Sequence, residues 1–441
     1  MRIHFVGIGG IGVSSLARYY LSHHMQVSGS DLASSEITEE LARLGVAIAI
    51  GPHAIANMPA DADLVVYSPA IPPTNDELQE AHRRGILVRS HPEAVGELTK
   101  QYQTITVSGA HGKSTTTALA ALVMEEGYCD PTVIVGAKIK EFGNANFRRG
   151  HGPFLLLEAD EWNKSFLNYS PFIAIVTNID AEHLDTYKTL AGVKRAFSAY
   201  LKKIPKNGII IANADDLLLA DLCKKIHKKI VWYSLADDEA RRIEAILQIP
   251  GAHNLSNALA AYRLGTVLGI APEHILKGIA RFSGAWRRFE FYGVVNNAII
   301  IADYGHHPKE ITATINAARS RFPFRRIWCV FQPHLRQRLA DLWDDFVQAF
   351  DLADRVSLLE VYNVAGRETK KIKPSVSSRN LAIAIQTRGK DASYMESFAS
   401  AEADIKREAR SGDVILMMGA GDIYALTKKL TEQPFSGAIP R

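Results

Sequence analysis

Runs that are apolar throughout recur along the chain, separated by stretches with helical periodicity. In the first hundred residues Ile3-His-Phe-Val-Gly-Ile, Gln26–Ser30, Leu64-Val-Val-Tyr and Ile86-Leu-Val read as strands. Thr104-Ile-Thr-Val-Ser, Phe154-Leu-Leu-Leu-Glu, Phe172-Ile-Ala-Ile-Val-Thr, Gly208-Ile-Ile-Ile-Ala and Ile230-Val-Trp-Tyr continue the series. Ala298-Ile-Ile-Ile-Ala, Ile327-Trp-Cys-Val-Phe, Val356-Ser-Leu-Leu-Glu-Val and Val414-Ile-Leu-Met-Met complete it. A run with no polar alternation suits a parallel strand covered on both faces by helices. Helices are predicted at Val13–Leu21, Thr115–Glu126, Asn254–Leu268 with its Ala/Leu stripe, and Pro308–Arg321 with Pro at the first position. The pattern predicts layered α/β architecture.

New strand series begin just after Leu98–Gln103 and Ser283–Arg288. With 441 residues and about 150 residues per domain, these joints divide the chain into 1–99, 100–283 and 284–441. No internal repeat, low-complexity tract or long charge block marks them more sharply.

Four sets of residues carry candidate chemistry. The first is Gly7-Ile-Gly9-Gly10-Ile-Gly12, between a strand and an apolar helix. Glycines there let a backbone approach a pyrophosphate, and the helix N-terminus favours the anion. Asp31 follows the next strand, where an acid binds a sugar hydroxyl. Alone, this motif fits a dinucleotide, NAD(P) included, or a nucleotide sugar. The second is Gly109-Ala110-His111-Gly112-Lys113-Ser114-Thr115, again between strand and helix. It reads as a P-loop: amides cradle phosphates, Lys113 meets the β/γ-phosphates, and Ser114 binds Mg²⁺. Val107 stands where the eight-residue pattern has its first Gly, so the loop is a shortened one.

The third set is the strand end Glu158-Ala-Asp160-Glu161, whose acids face the ligand crevice of an α/β sheet and suit Mg²⁺. Asn178-Ile-Asp-Ala-Glu-His183-Leu-Asp185 follows the next strand. The fourth comprises Gly251-Ala-His-Asn254-Leu-Ser-Asn257, Arg287-Arg288-Phe, Asp303-Tyr-Gly-His306-His307-Pro and Phe331-Gln-Pro-His334-Leu-Arg-Gln-Arg338. His23, His24, His53 and His91 lack such a context and read as ordinary surface or core residues.

Composition narrows the classes. Lys+Arg total 51 against 47 Asp+Glu, a net charge of +4, too balanced to point to nucleic acid. The longest apolar runs fall far short of a membrane span of about 20 residues. The start runs at once into a Gly-rich turn, unlike a signal peptide. Cys129, Cys223 and Cys329 are scattered, giving no zinc spacing and no disulfide framework. The expectation is a cytoplasmic multidomain enzyme with small-molecule substrates, no nucleic acid and no membrane insertion.

Taken together, these motifs resemble the Mur ligases of bacterial cell-wall synthesis. The match runs in order through Gly7–Gly12, Ser68-Pro-Ala-Ile, Gly109–Thr116, Glu158–Glu161, Asn178–Asp185, Gly251–Asn257, Arg287-Arg-Phe, Asp303–Pro308, Phe331–His334 and Met418-Gly-Ala-Gly-Asp422. The resemblance implies three α/β domains: a Rossmann-like one for the UDP end of the substrate, a P-loop one for ATP, and a Rossmann-like third that closes over the site. It implies that ATP, UDP-N-acetylmuramate and L-alanine give ADP, phosphate and the alanyl amide through an acyl phosphate. Mg²⁺ is the implied metal, Mn²⁺ an acceptable one, and the state a monomer or weak homodimer.

By the same resemblance, Lys113 neutralises the γ-phosphate, and Ser114, Glu158 and His183 hold the metal. Gly109–Thr115, Asn254 and Asn257 address ATP, and Arg288 contacts phosphate. Asp303 orients or deprotonates the amine. Gly9, Gly10, Gly12, Ser30, Asp31 and Ser68 line the UDP-sugar region, with His306, His334 and Arg338 on the substrate side.

The chain departs from the family pattern at several places. Gly-Ala-His-Gly-Lys-Ser replaces Gly-Thr-His-Gly-Lys-Thr, and Glu182 replaces the usual Asp before His183. Trp162-Asn-Lys follows the acidic strand end. Only 18 residues separate Trp232 from Gly251, a segment the family commonly makes longer, so the central domain reads as trimmed. An NAD-dependent dehydrogenase would leave the P-loop and strand-end acids without a role. A murein-peptide recycling ligase, joining a peptide to the same sugar nucleotide, ranks below alanine addition on the Ser68-Pro-Ala-Ile and Gln-Pro-His segments. A non-catalytic UDP-sugar-binding protein would not need Lys113, Ser114, Glu158, His183 and Arg288 together.

Overall fold

In the computed structural model, residues 1–363 and 376–431 are described. Three sheets follow one another along the chain, so the architecture is three-domain α/β. The first contains β1 (Arg2–Val6), β2 (Gln26–Asp31), β3 (Ala47–Ile50), β4 (Leu64–Tyr67) and β5 (Leu87–Ser90). All its pairs are parallel, in the order β3-β2-β1-β4-β5. Helices α1 (Ile11–Ser22), α2 (Glu36–Arg43), α3 (Asp76–Arg83) and α4 (His91–Thr99) connect or follow these strands. The order reverses between β1 and β4, which places a ligand crevice at their C-terminal ends.

The second sheet contains β6 (Gln103–Ser108), β7 (Thr132–Ile139), β8 (Ala145–Arg148), β9 (Phe154–Glu158), β10 (Ile173–Val176), β11 (Ile209–Asn213) and β12 (Lys229–Tyr233). Its order is β12-β11-β10-β6-β9-β7-β8, with β7 and β8 antiparallel and the other pairs parallel. Helix α5 (Lys113–Glu126) is buried continuously from Ser114 to Met124. Its small Ala and Thr side chains admit close neighbours: a Cβ on Gly278, in the helix Pro272–Arg281, would lie 2.6 Å from the Val123 Cα. The trimmed segment after β12 is closed by a short helix, Ala240–Ile246, and by Arg263, which pairs with Asp237 at 2.8 Å and Glu239 at 3.2 Å.

The third sheet contains β13 (Glu290–Val295), β14 (Ala298–Asp303), β15 (Ile327–Phe331), β16 (Arg355–Leu359), β17 (Asp391–Met395) and β18 (Val414–Met418). The order is β13-β14-β18-β15-β16-β17, with an antiparallel β13–β14 pair. Ile327–Phe331 and Val414–Met418 are buried at every position, as expected of central strands covered on both faces.

The chain forms two compact units, Met1–Gln248 with Leu255–Ser283, and Ile249–Asn254 with Gly284–Arg441. The first two sheets thus share one unit, and polar groups tie them together. Lys138 on β7 is buried between Glu36 at 2.7 Å and Glu40 at 2.6 Å, both on α2. Asn146 on β8 donates to the Ile11 carbonyl at 2.6 Å and to the Ser14 hydroxyl at 2.9 Å, both on α1. Among the described residues no helix is long and apolar enough to cross a membrane.

Candidate active site

The Gly109–Gly112 loop leaves the end of β6 and enters α5. Gly109 and Gly112 have φ of +135° and +84°. Side chains are excluded as well: a Cβ on Gly109 would lie 2.1 Å from the Thr177 hydroxyl, and one on Gly112 would lie 2.4 Å from the Asn257 Oδ1. The end of β10 holds the loop in shape. Asn178 accepts from the His111 amide at 2.9 Å and donates to its carbonyl at 2.9 Å, and Thr177 donates to that carbonyl at 2.6 Å. His111 Nε2 lies 3.3 Å from Asp180. Asn257 accepts from the Thr116 hydroxyl at 3.1 Å, which fixes its amide against the loop.

One ion pair and one hydroxyl–carboxylate pair furnish this loop. Lys113, 13% exposed, donates to the Gly109 carbonyl at 2.7 Å and to the Ala110 carbonyl at 3.2 Å. Its ammonium also pairs with Glu161 at 2.9 Å, a carboxylate only 1% exposed. Ser114 donates to Glu158 at 3.0 Å, and the Gly136 amide donates to the same carboxylate at 2.7 Å. Burial alone would lower the Lys113 ammonium, but the Glu161, Asp160 and Glu158 charges outweigh it and hold Lys113 protonated. Burial pushes the Glu158 and Glu161 carboxyls up, against the opposing charge of Lys113. Glu158 and Ser114 form an oxygen-donor pair, the donor type a hard divalent cation takes.

His183 lies 3.5 Å from Glu161 through Nε2 and has φ of +54°, an uncommon conformation for a non-glycine residue. Tyr187 donates its hydroxyl to the Glu161 carbonyl. Glu161 is thus the hub of this group, although its motif suggested no role distinct from its neighbours. Glu182 is buried, and the side chain of Asp185 lies outside the described residues. Asn254 is buried with its amide donating to the Pro250 carbonyl at 2.7 Å.

The first glycine loop is furnished differently. Asp31 turns its carboxylate to the Gly9 amide at 2.8 Å. Gly10 precedes α1 without a side-chain cap, and the first turn of α1 carries no acid. Ser68 closes the other side of the turn, its amide donating to the Val6 carbonyl at 2.9 Å. Ser30 lies beneath the crevice rather than in it: it is fully buried and donates to Glu77 at 2.8 Å.

Glu77, also fully buried, takes further hydrogen bonds from His4 at 2.9 Å and Asn57 at 2.9 Å, and faces His53 Nδ1 at 3.1 Å. Burial would raise this carboxyl, but the bonds from His4, Asn57 and Ser30 prevail and hold it at about 2. An ionised carboxylate only accepts, so His4 must carry its proton on Nε2 and His53 on Nδ1.

In the third sheet, Asp303 ends β14 with 7% exposure. It accepts from the Phe289 amide at 2.8 Å, the Gly305 amide at 2.7 Å and the Thr314 hydroxyl at 3.3 Å. Burial raises its proton affinity, opposed by Arg288 and these amides. The adjacent arginines diverge. Arg287 is buried over the Trp286, Tyr304 and Tyr424 rings and donates to the Gly419 and Gly421 carbonyls. Arg288 keeps 31% exposure, stacks on Tyr304 and lies 3.6 Å from Glu310. His306 and His334 face each other at 5.6 Å between ring centres, with Arg338 3.3 Å from the His334 Nδ1.

A glycine-rich strand–helix turn in the first sheet and a P-loop-like turn beside strand-end acids in the second mark an α/β protein of three domains. The chain belongs to the Mur ligase family. The family's catalytic domain matches residues 2–103, its middle domain residues 107–265, and its glutamate ligase domain residues 287–421. It is 39% identical to a UDP-N-acetylmuramate–L-alanine ligase of Acetivibrio thermocellus, over 96% of this chain and 94% of that one. A Clostridium botulinum protein of the same name is 38% identical over 96% of both chains. The crystal structure of a UDP-N-acetylmuramate-alanine ligase from Thermotoga maritima has a TM-score of 0.82 at 28% identity, covering 98% of both chains. A murein peptide ligase from Psychrobacter arcticus shares the fold, with a TM-score of 0.72 at 23% identity over 98% of both chains.

Proposed function

We propose that this chain joins L-alanine to the lactyl carboxylate of UDP-N-acetylmuramate with cleavage of ATP to ADP and phosphate, in the cytoplasm. The observation that carries the reading is the Lys113–Glu161 and Ser114–Glu158 arrangement at the P-loop, in a chain alignable end to end with ligases of that name. A lactyl carboxylate oxygen attacks the γ-phosphorus of ATP, the bond to the β-phosphate bridge breaks, and ADP leaves. The alanine nitrogen then attacks the acyl carbon of the acyl phosphate, and inorganic phosphate departs.

Phosphoryl transfer is mostly a matter of position and charge. Lys113 is held protonated, so it is available to the γ-phosphate once phosphate oxygens replace its loop carbonyls. Ser114, Glu158 and His183 are the residues proposed to hold Mg²⁺, His183 lying next to Glu161 and grouped with Asp160 and Glu161 rather than with Glu158, and Mn²⁺ would suit the same donors. When bound, the cation neutralises charge on the β- and γ-phosphates. Gly109–Thr115, Asn254 and Asn257 are assigned to ATP, and Arg288 to phosphate. Asp303, with its raised proton affinity, is assigned to the amine proton, and His306, His334 and Arg338 to the substrate side.

A phosphate-release assay over a panel of amino acids and peptides tests the reading. Release is expected only with ATP, UDP-N-acetylmuramate and L-alanine together. Release with a murein peptide and not with alanine would replace it by the recycling reaction. Sugar-nucleotide binding without any release would leave a binding protein.

A further inference from the structure

Arg287 is buried in the third domain, and burial works against its charge. Its guanidinium lies 5.7 Å from the Trp286 ring centre, 5.0 Å from that of Tyr304 and 5.1 Å from that of Tyr424. Among the described residues its side-chain hydrogen bonds go to two backbone carbonyls, those of Gly419 and Gly421, and to no carboxylate. A methionine would fill such an aromatic box without the cost of a buried cation. What the cation adds is a fixed tie between the segment that carries it and the turn after β18.

Both ends of that tie have unusual backbone. Arg287 and Phe289 have φ of +55° and +48°, a region that non-glycine residues seldom adopt and that costs energy to hold. In this conformation the turn serves the end of β14. The Arg287 carbonyl accepts from the Tyr304 amide at 2.6 Å, and the Phe289 amide donates to the Asp303 carboxylate at 2.8 Å. Arg288, between them, stacks on Tyr304. At the other end, Gly419 has φ of +148°, and its amide donates to the Asp303 carbonyl at 3.0 Å. A Cβ on Gly419 would lie 2.8 Å from the Gln332 carbonyl, and Gln332 donates to Asp422 at 2.7 Å. The Arg287 side chain thus joins the ends of β14 and β18 directly, and that of β15 through Gln332. Asp303, His306 and His334 stand at or just after the ends of β14 and β15.

We propose that Arg287 is a positioning residue of the ligation site: its tie to Gly419 and Gly421 holds the strained Arg287–Phe289 turn, and that turn sets Arg288 and the Asp303 carboxylate for the reaction. This rests on the reading that Arg288 and Asp303 serve phosphate and amine. Arg287 acts through them and touches no reacting atom.

Steady-state kinetics and hydrogen exchange of the full chain test it, using wild type, Arg287→Met and Arg287→Lys. Arg287→Met should lower kcat about 10²-fold, the scale of a displacement near 1 Å where positioning dominates. The KM for ATP, whose loop lies in the second domain, should stay within about twofold. Arg287→Lys keeps the charge and loses the planar group that stacks among the rings, so its kcat should fall about tenfold below wild type. Added to Asp303→Asn, Arg287→Met should cost less than about tenfold more, because residues that act through one another are not additive. Exchange at the Phe289, Tyr304 and Gly419 amides should quicken in Arg287→Met while the amides of β6 and β10 keep their rates, a readout that needs no catalysis. Should Arg287→Met fail to fold, Arg287→Lys carries the same readouts. Wild-type kcat in Arg287→Lys, a fully additive loss with Asp303→Asn, or unchanged exchange at the three amides would overturn the proposal. Absence of phosphate release from wild type itself would overturn instead the ligase reading, and the exchange rates would still decide whether the tie holds.

Discussion

Two strand–glycine–helix turns lie in the same compact unit, and they are furnished for different work. At Gly109–Gly112 the turn is followed by Lys113, paired to the buried Glu161, and Ser114, paired to the half-buried Glu158, and the loop is clamped by Thr177 and Asn178. At Gly7–Gly12 no charged side chain follows the turn: one carboxylate, Asp31, holds an amide, and one imidazole, His91, lies alongside. The same backbone device presents amides to an anion in both places. Only the Gly109–Gly112 turn adds paired charges beside its amides, and under the proposed function the first loop would hold its ligand while the second would carry the chemistry.

The largest effect that would break this division is expected at Lys113. Lys113→Ala should lower turnover by about 10²–10³-fold or more, as loss of a preorganised charge at the reacting group does. Turnover within threefold of wild type in a coupled ADP assay would remove the P-loop from the chemistry.

Gly112→Ala should come next. Its φ of +84° and the Asn257 Oδ1 at 2.4 Å from the new Cβ leave no room without moving the loop. A displacement near 1 Å costs about 10²-fold where positioning dominates. The loss should appear in turnover and in the KM for ATP while the melting temperature changes little. A variant with unchanged KM for ATP would mean that the loop does not bind it.

Glu158→Gln should act more gently. Neutralising one oxygen donor of the Ser114–Glu158 pair should raise the Mg²⁺ concentration for half-maximal activity by about tenfold. An unchanged Mg²⁺ titration would transfer the cation to another pair.

Glu77 sharpens the contrast from the structural side, with the least direct effect on turnover. Its carboxyl sits at about 2 in the folded chain, below its ordinary value of 4.5. The stability it contributes is therefore complete above about pH 4.5 and is lost as the pH falls toward 2. Glu77→Ala should cost about 3–5 kcal/mol at neutral pH by leaving His4, Ser30 and Asn57 without their acceptor. Urea unfolding between pH 5 and pH 3, on the order of that pKa interval, should show a flatter acid dependence in Glu77→Gln than in wild type. Parallel curves would remove Glu77 as the acid-sensitive group.

Much of this was legible in the sequence, where the information is local. The unbroken apolar runs of β9, β15 and β18 coincide with strands residue for residue, because central parallel strands need apolar side chains on both faces. The strands β3, β7, β8, β13 and β17 are not among the runs read as strands, although β3 is the apolar Ala47–Ile50 and β7 opens with the apolar Val133–Val135. β17 is a polar edge strand, and β13 is antiparallel, broken by a bulge between Phe291 and Gly293. Asn296-Asn297, both at positive φ, form the β13–β14 turn and were the available hairpin cue. In β7 the apolar pattern stops at Gly136 and Lys138 because both serve other elements, one bonding Glu158 and the other pairing with α2.

The site divides in the same way. Both glycine loops and the acids at the end of β9 were legible as contiguous motifs. Glu77 was not, since its partners Ser30 and His4 lie 47 and 73 positions away. His91 read as an ordinary histidine, because its contact with Gly12 exists only once β5 and α4 are folded beside α1. The Arg287-Arg288 pair looked like one feature, and only packing separates the buried anchor from its more exposed neighbour.

The division between the two loops is tested most directly by a crossed titration. Gly9→Ala crowds the first loop alone, placing a Cβ 2.9 Å from the Asp31 carboxylate, whereas Lys113→Ala alters the second alone. Calorimetric titration of each variant with a non-hydrolysable ATP analogue and with UDP-N-acetylmuramate gives four affinities. Gly9→Ala should weaken only the sugar nucleotide and Lys113→Ala only the ATP analogue, with the other ligand in each case within about twofold of wild type. Weakening of both ligands by either variant, or the reverse assignment, would contradict the account.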